Sequence, residues 1–262
     1  MAKRLRVVVM TQNDRFFIPT NIAKVSEICD IVEIVDVNSK YSLDNQISNY
    51  FKWFGLFQCA KMGLVTIGRE IQKYLDRAFG YRLFKGCCSV KDVAKALQIR
   101  HCVITDSNDP EYVKHIKDMD IDLIISFSAP QIIKEELLTS PKYGVINVHG
   151  SLLPDFRGCL PSFWYLYCDE KISGATVHYM SEKIDDGDII EQGSVDISDC
   201  MSMFQVMKKT KTIGGELMVK AIQKIADGTV TVRKNDITQG RYFTWPTVEE
   251  AKGFRKKGKK LI

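Results

Sequence analysis

The sequence predicts an α/β fold with a doubly wound, mostly parallel sheet, and three observations support this prediction. Five short apolar runs rich in Val and Ile alternate with stretches long enough to hold helices, as expected for βαβ units whose strands are buried on both faces. The chain has 262 residues, of which 45% are hydrophobic and 26% charged, which is typical of a globular protein. Helix start signals lie between the runs, such as Asp109-Pro110, a cap followed by a first-turn proline.

The elements follow one another in a regular order. The predicted core strands are Val7–Met10, Ile31–Val37, Cys102–Thr105, Leu123–Ser126 and Val145–Val148. Helical spacing is found between the later strands, at Asp109–Met119 and Pro130–Leu138. The later predicted elements are a strand at Gly174–Met180, a long amphipathic helix at Ser202–Asp227 and a final strand at Thr229–Arg233.

One segment does not fit a minimal α/β core, and we predict a helical insertion at about residues 41–95. Within it, residues 49–86 are rich in aromatic and aliphatic side chains and carry seven basic residues against two acidic ones. The apolar character is too interrupted for a helix that spans a bilayer. Four interpretations remain open: the segment caps one face of the sheet, holds an apolar substrate, lies peripherally on a membrane surface, or packs on the partner subunit of a homodimer.

The net charge of +5 is concentrated at the C-terminal end, because residues 251–262 contain six basic residues and no acidic one. A protein that binds duplex nucleic acid is expected to spread its positive charge over a face. We therefore expect no nucleic-acid partner, and we interpret the basic tail as solvated and frayed.

The eight cysteines form no C-x-x-C pair and no cluster with histidine. Neither a zinc site nor a disulfide framework is predicted, and we expect no metal. The apolar run at Val7–Met10 is too short for a signal peptide. Together these observations predict a cytoplasmic protein with reduced thiols, which leaves attachment to the inner membrane surface open.

The stretch that carries chemistry is Gly144–Gly158, in which Asn147 and His149 lie at the end of a predicted strand. Alternate strand residues share a face, so these two side chains project together. The carboxyl end of a parallel sheet is where ligands bind. An amide donor beside an imidazole can stabilise a developing oxyanion and move a proton. On spacing alone, a structural histidine bonded to backbone remains an alternative.

This stretch resembles the signature of the formyltransferase family that uses 10-formyltetrahydrofolate: Asn-x-His, then Ser-Leu-Leu-Pro, then Arg-Gly. A second block, Gly174–Ile190, resembles the later strand of that family and its Ile-Asp-x-Gly loop. The match extends from about Asp109 to Gly228, whereas Tyr41–Lys85 matches nothing in the family. The resemblance implies a Rossmann-like formyltransferase core at 1–236 and a short C-terminal extension with the basic tail at 237–262.

The resemblance implies that Asn147, His149 and Asp185 are catalytic. Asn147 would donate to the formyl oxygen, His149 would accept the amine proton or polarise the formyl group, and Asp185 would orient the imidazole. Asp186 and Asp188 are neighbouring alternatives in the same loop, and alignment with the family pattern selects Asp185. The implied folate-binding positions are Phe127, Ser128, Ala129, Gln131, Ile132, Ile184 and Asp186. We interpret His178, on the preceding strand, as structural.

The implied reaction is N-formylation of a primary amine, with 10-formyltetrahydrofolate as the donor. The Arg157–Pro161 turn resembles the tRNA and sugar branches of the family more than the purine branch. The tRNA enzymes carry a further domain and little chain follows Arg233, so we expect an amino sugar acceptor, nucleotide-linked or lipid-linked. Alternatives are an amino-acid-derived amine, methionyl-tRNA, or a folate-binding protein without turnover. Tyr242, Phe243 and Trp245 would stack on a sugar or pack against the core.

Overall fold

The computed structural model describes residues 4–38 and 43–262, without the side chains of residues 43–46. The first residues of the predicted core and the predicted start of the insertion near residue 41 lie outside the described residues. The described strands are β1 (Arg6–Thr11), β2 (Asp30–Val37), β3 (Arg100–Ile104), β4 (Leu123–Phe127), β5 (Val145–His149), β6 (Arg157–Gly158), β7 (Ile172–Tyr179), β8 (Ile189–Asp196) and β9 (Tyr242–Phe243). The described helices are α1 (Ile18–Ser26), α2 (Leu43–Ala78), α3 (Val90–Ala96), α4 (Pro110–Asp118), α5 (Glu135–Leu138), α6 (Pro161–Tyr167), α7 (Met203–Ala226) and α8 (Val248–Lys256).

The predicted doubly wound sheet is confirmed. Its strand order is β3-β2-β1-β4-β5-β7-β8, with β1 to β5 parallel and β7 and β8 antiparallel. Alternate residues of β1 face opposite layers, since Val7 and Val9 pack with α1, α3 and α7, whereas Val8 and Met10 pack with α4 and α5. The chain order reverses between β1 and β4, so a crevice is expected at the carboxyl ends of these strands.

Two predicted elements differ from the structure. Thr229–Arg233 is not a strand, because its backbone pairing with the edge strand β8 is an isolated bridge in which Arg233 and Ile189 exchange hydrogen bonds of 2.8 Å. The helix predicted at Pro130–Leu138 is shortened to α5. Its first residues form a loop held by the side chain of Gln131, which donates to the carbonyl oxygens of Asn38 and Thr105.

The insertion forms α2, which is broken at Gly55, where φ is 78° and ψ is 167°. We call residues 43–54 the inner arm and residues 56–78 the outer arm. Trp53 and Phe54 of the inner arm are buried together with Phe163 of α6 and Phe254 of α8. The interpretation as a cap on the sheet is therefore wrong for the inner arm, whose apolar residues pack on α6 and α8. None of the described helices has the length and apolarity needed to cross a bilayer.

The basic C-terminal end is ordered, so the expectation of a frayed tail is wrong. Thr247 and Glu250 form a capping box that starts α8. Ala251 and Phe254 have no exposed surface, and Leu261 is 3% exposed. The basic residues of 251–262 thus lie between buried apolar residues, which anchor the C-terminal end to the rest of the protein.

Candidate active site

Strand register brings three polar side chains to one place. Asn147 and His149 lie two residues apart on β5, so their side chains leave the same face. The antiparallel neighbour β7 places His178 opposite Asn147 and Thr176 opposite His149. The Nδ2 atom of Asn147 is 3.3 Å from Nε2 of His178. His178, which sequence reasoning treated as structural, therefore belongs to the site.

Asp185 reaches this cluster from the loop that follows β7. Its carboxylate Oδ1 lies 3.5 Å from Nδ1 of His149 and 3.7 Å from Nε2 of His178. Its Oδ2 accepts a hydrogen bond of 2.9 Å from the backbone N–H of Gly158. Of the three neighbouring acids considered from sequence, Asp185 is the one that the fold directs toward the two imidazoles.

The loop geometry explains the spacing of the Ile-Asp-x-Gly pattern. Asp185 has a positive φ of 50°, which turns its side chain back toward β5. A Cβ atom on Gly187 would lie 1.8 Å from the carbonyl oxygen of Tyr179, so only glycine allows the loop to pass this close to β7. Asn235 donates to the carbonyl oxygen of Asp185 at 2.9 Å and fixes the loop from its other side.

Both ring nitrogens of His149 face oxygen atoms. Nε2 lies 3.0 Å from the carbonyl oxygen of Phe156, and a nitrogen facing a carbonyl must carry hydrogen and donate it. Nδ1 faces the carboxylate of Asp185. The ring of His149 is therefore held between two oxygen atoms, one of which belongs to the Asp185 carboxylate.

His178 has the opposite environment. Its Nδ1–H donates to the carbonyl oxygen of Tyr179 at 2.7 Å, which leaves Nε2 as an acceptor for the amide of Asn147. Burial lowers the pKa of His178, and the nearby Asp185 carboxylate opposes this shift. A neutral His178 thus orients one N–H of the Asn147 amide, and the second N–H remains for a ligand.

The first predicted folate-binding positions follow β4. Phe127 ends this strand and is buried, and Ser128 follows with a positive φ of 60°. The Oγ atom of Ser128 accepts a hydrogen bond of 2.6 Å from Nζ of Lys211 on α7. Burial lowers the pKa of Lys211, and Asp14 opposes this shift. Sequence reasoning missed Lys211, because only the packing of α7 brings it to the carboxyl edge of the sheet.

The rest of that loop divides into a structural and an exposed part. The backbone N–H of Ala129 points to Oγ of Ser126 at 3.4 Å. The side chain of Gln131 is engaged with the loops after β2 and β3, where its Oε1 also accepts from Ser107. Ile132 is 53% exposed. A ligand at these positions would therefore meet backbone groups and the side chain of Ile132, and not the Gln131 amide.

The opposite loop offers a second aliphatic side chain, because Ile184 is 43% exposed. Asp186 faces Lys183 at 3.9 Å. The carbonyl oxygen of Ile184 accepts a hydrogen bond of 3.5 Å from Nη1 of Arg157. Nε of Arg157 is buried without a hydrogen-bond partner among the described residues, which marks Arg157 as a further ligand-binding candidate.

The C-terminal extension adds aromatic residues beside Arg157. Strand β9 pairs with β6, and Tyr242 lies under the Arg157 guanidinium at 5.5 Å from its ring centroid. Tyr242 is 46% exposed. Phe243 stacks on Trp164 at 4.6 Å, and Trp245 stacks on Trp53 at 5.8 Å. Packing against the core is thus confirmed for Phe243, whereas Tyr242 keeps a free face.

Comparison with known proteins shows that the chain belongs to the formyl transferase family, whose profile matches residues 87–222, more than half of the sequence. The methionyl-tRNA formyltransferase of Clostridium perfringens (strain SM101 / Type A) is 35% identical over 178 residues, which are 68% of this chain and 58% of that protein. The chain thus spans less than two thirds of the length of this relative.

Solved structures of formyltransferases share the fold. A sugar N-formyltransferase from Shewanella sp FDAARGOS_354 matches with a TM-score of 0.57 and 16% identity, over 97% of this chain and 87% of that one. The sugar 3N-formyl transferase WlaRD, solved in the presence of dTDP and 5-N-formyl-THF, matches with a TM-score of 0.57 and 17% identity, over 92% of this chain and 70% of that one. These similarities establish a common architecture.

Proposed function

We propose that this protein is an N-formyltransferase that uses 10-formyltetrahydrofolate to formylate a primary amine. The proposal depends on one observation: an amide, two imidazoles and a carboxylate lie close together at the carboxyl edge of the sheet. Oδ1 of Asp185 is 3.5 Å from Nδ1 of His149, and Nδ2 of Asn147 is 3.3 Å from Nε2 of His178. When bound, 10-formyltetrahydrofolate supplies a formyl group attached to a nitrogen atom. Membership of the formyl transferase family supports this donor.

The residues that would hold the folate have suitable chemistry. A pteridine ring needs apolar contacts on its faces and hydrogen bonds along its edge. Ile132 and Ile184 expose 53% and 43% of their surface on the two loops, and the backbone of Ser128, Ala129 and Asp186 offers donors and acceptors beside them. Phe127 would support this wall from the end of β4.

The catalytic roles follow from the hydrogen-bonding capacity of each side chain. The amine nitrogen forms a bond to the formyl carbon, and the second N–H of Asn147 donates to the oxygen as it gains negative charge. His149 takes the proton lost by the amine, after exchanging its contact with Phe156 or Asp185 for the substrate. Asp185 stabilises the resulting cation. His149 would then pass this proton to the leaving nitrogen of the donor, so that no proton is gained or lost overall.

For the acceptor we propose an amino sugar linked through phosphate to a nucleotide or a lipid. Arg157, with its unpartnered Nε, provides positive charge that a phosphate group requires. Nζ of Lys211, which binds Ser128 at the carboxyl edge, offers a further hydrogen-bond donor. The exposed face of Tyr242 is suited to stack on a sugar or base. The names of the sugar N-formyltransferases with the same fold agree with this choice.

Methionyl-tRNA is a second candidate acceptor, favoured by the 35% identity to a methionyl-tRNA formyltransferase. An amino-acid-derived amine is a third. For all of them we propose a cytoplasmic location, since the eight cysteines are free and free thiols fit a reducing compartment.

The test is release of tetrahydrofolate from 10-formyltetrahydrofolate in the presence of each acceptor class. We expect turnover with nucleotide-linked or lipid-linked amino sugars, and loss of turnover in Asn147→Ala. Turnover with methionyl-tRNA or amino-acid amines alone would contradict the sugar acceptor. Folate binding without turnover for any acceptor would contradict the enzyme and identify a folate-binding protein.

A further inference from the structure

The outer arm of α2 directs its large apolar side chains into solvent. We call one set of them the apolar stripe, because their helical spacing places them along one side of the helix. Their exposed fractions are 75% for Leu56, 70% for Leu64, 57% for Ile67, 56% for Ile71, 63% for Tyr74 and 46% for Leu75. A continuous apolar stripe on a surface that faces water marks a contact site.

The opposite side of the outer arm carries the polar anchors of the helix. Asp76 is 1% exposed and accepts hydrogen bonds from the backbone N–H groups of the turn that follows the helix. Arg69 donates to the carbonyl oxygens of Arg15 and Phe16 in the loop after β1. The apolar stripe cannot rotate inward without breaking these contacts, so its exposure is a fixed property of the fold.

Positive charge accompanies the apolar stripe. We call Lys61, Arg82 and Lys85 the basic rim. Lys73 does not belong to it, because its side chain is 15% exposed and pairs with Glu70, and Arg77 does not, because it pairs with the buried Asp92. The carboxylates of the segment 47–86 are Glu70 and Asp76. Glu70 pairs with Lys73 and with Arg15, and Asp76 is buried as described above. Both acids are therefore engaged within the protein, and the rim retains a surplus of positive charge.

We propose that the apolar stripe and the basic rim attach this protein to an anionic lipid bilayer. Lipid headgroups supply negative charge for the rim, while the boundary of the acyl region accepts Leu, Ile and Tyr side chains from a helix lying in the membrane plane. A second copy of the chain fits this surface less well. A twofold pairing of the outer arms would bring two basic rims together, with no unengaged carboxylate in the segment to compensate.

The position of the outer arm gives this attachment an orientation. Through Arg69 the arm contacts the loop after β1, which lies at the carboxyl edge of the sheet, the edge that also carries Asn147 and His149. A protein bound through the apolar stripe would hold this edge close to the bilayer. Attachment itself does not depend on formyl transfer, so it can be tested without an acceptor.

The experiment is flotation of the purified full chain with lipid vesicles. We expect the protein to float with phosphatidylcholine vesicles that contain phosphatidylglycerol, to bind less as salt is raised, and to bind weakly to phosphatidylcholine alone. The double variant Leu64→Ser/Ile67→Ser should lose at least about tenfold in partitioning, because two apolar side chains leave the contact. The matched control is Val103→Ser/Val232→Ser, whose residues are 57% and 51% exposed outside α2, and it should bind like the parent protein.

Circular dichroism verifies that both variants are folded. The proposal is overturned if the parent protein does not float with anionic vesicles, or if the control variant loses as much binding as the stripe variant. It is also overturned if sedimentation shows a dimer that Leu64→Ser/Ile67→Ser dissociates while vesicle binding is absent. That last result would assign the stripe to a second copy of the chain.

Discussion

Two histidines only a few ångströms from one carboxylate have different environments. His149 directs both nitrogens at oxygen atoms, those of Phe156 and Asp185, whereas His178 donates to a backbone carbonyl and accepts from Asn147. His178 thus holds the Asn147 amide in position, whereas the ring of His149 lies between two oxygen atoms. The proposed roles, orientation of the amide for His178 and proton transfer for His149, follow from the atoms that each ring nitrogen contacts.

The first prediction concerns the proposed catalytic residues. Asn147→Ala, His149→Ala and Asp185→Asn should each lower kcat/KM by about 10²–10⁴-fold, since each removes one oxyanion or acid–base contributor. Steady-state assays of formyl transfer measure the effect. Asp188→Asn is the matched control, because Asp188 is an exposed acid of the same loop. Equal losses in Asp188→Asn and Asp185→Asn would refute the assignment of Asp185.

The second prediction concerns pH. Burial lowers the pKa of His178 below its ordinary value of 6.5. As the pH falls through about 6.5, the imidazole of His178 is therefore protonated in the unfolded chain before it is protonated in the folded chain. The free energy of unfolding should therefore decrease as the medium becomes acidic below this value. His178→Gln should show a smaller decrease in urea titrations between pH 7.5 and pH 5.5. Parallel pH profiles for both proteins would contradict a neutral buried His178.

The short pairing of β6 with β9 links the C-terminal extension to the candidate site. Gly158 belongs to β6, and its N–H binds the Asp185 carboxylate. It has a φ of 93°, and a Cβ atom there would lie 2.1 Å from the carbonyl oxygen of Phe243. One glycine thus permits both the strand pairing and the placement of Asp185.

The third prediction follows from this dual role. Gly158→Ala should lower the free energy of unfolding by about 2–4 kcal/mol, through backbone strain and the contact with Phe243, and should also reduce activity. Gly228→Ala is the control, because Gly228 has a positive φ of 69° with open space around it. This variant should lower the free energy of unfolding by about 1–2 kcal/mol, through backbone strain alone. Urea denaturation measures both. A smaller loss in Gly158→Ala than in Gly228→Ala would be inconsistent with the close approach of β9.

For the whole molecule, the aromatic cluster formed by α6, α8 and the inner arm of α2 acts as a second core beside the sheet. Phe163 stacks on Phe254 at 4.4 Å, and Phe54 meets both rings edge-on. Segments from the insertion, the middle and the C-terminal end of the sequence thus share one apolar cluster. The insertion and the extension stabilise each other through it.

The fourth prediction tests this cluster. Phe254→Ala should lower the free energy of unfolding by about 3–5 kcal/mol, because it leaves a cavity at a side chain with no exposed surface. Val248→Ala, at a residue that is 46% exposed on the same helix, should cost less than about 1 kcal/mol. Thermal and urea unfolding measure both variants. Near-equal effects would indicate that α8 does not contribute to the core.

The doubly wound sheet could be predicted from the amino-acid sequence, because strands buried on both faces leave local runs rich in Val and Ile. The spacing of Asn147 and His149 was also enough to predict that their side chains share one face. It could not predict His178, since that contact depends on the register of β5 against β7. Nor could it predict the ordered C-terminal end, because local charge suggests solvation while Phe254 is buried by residues far away in sequence. Both contacts depend on how distant segments pack in three dimensions, and such packing leaves no periodic signal in the amino-acid sequence.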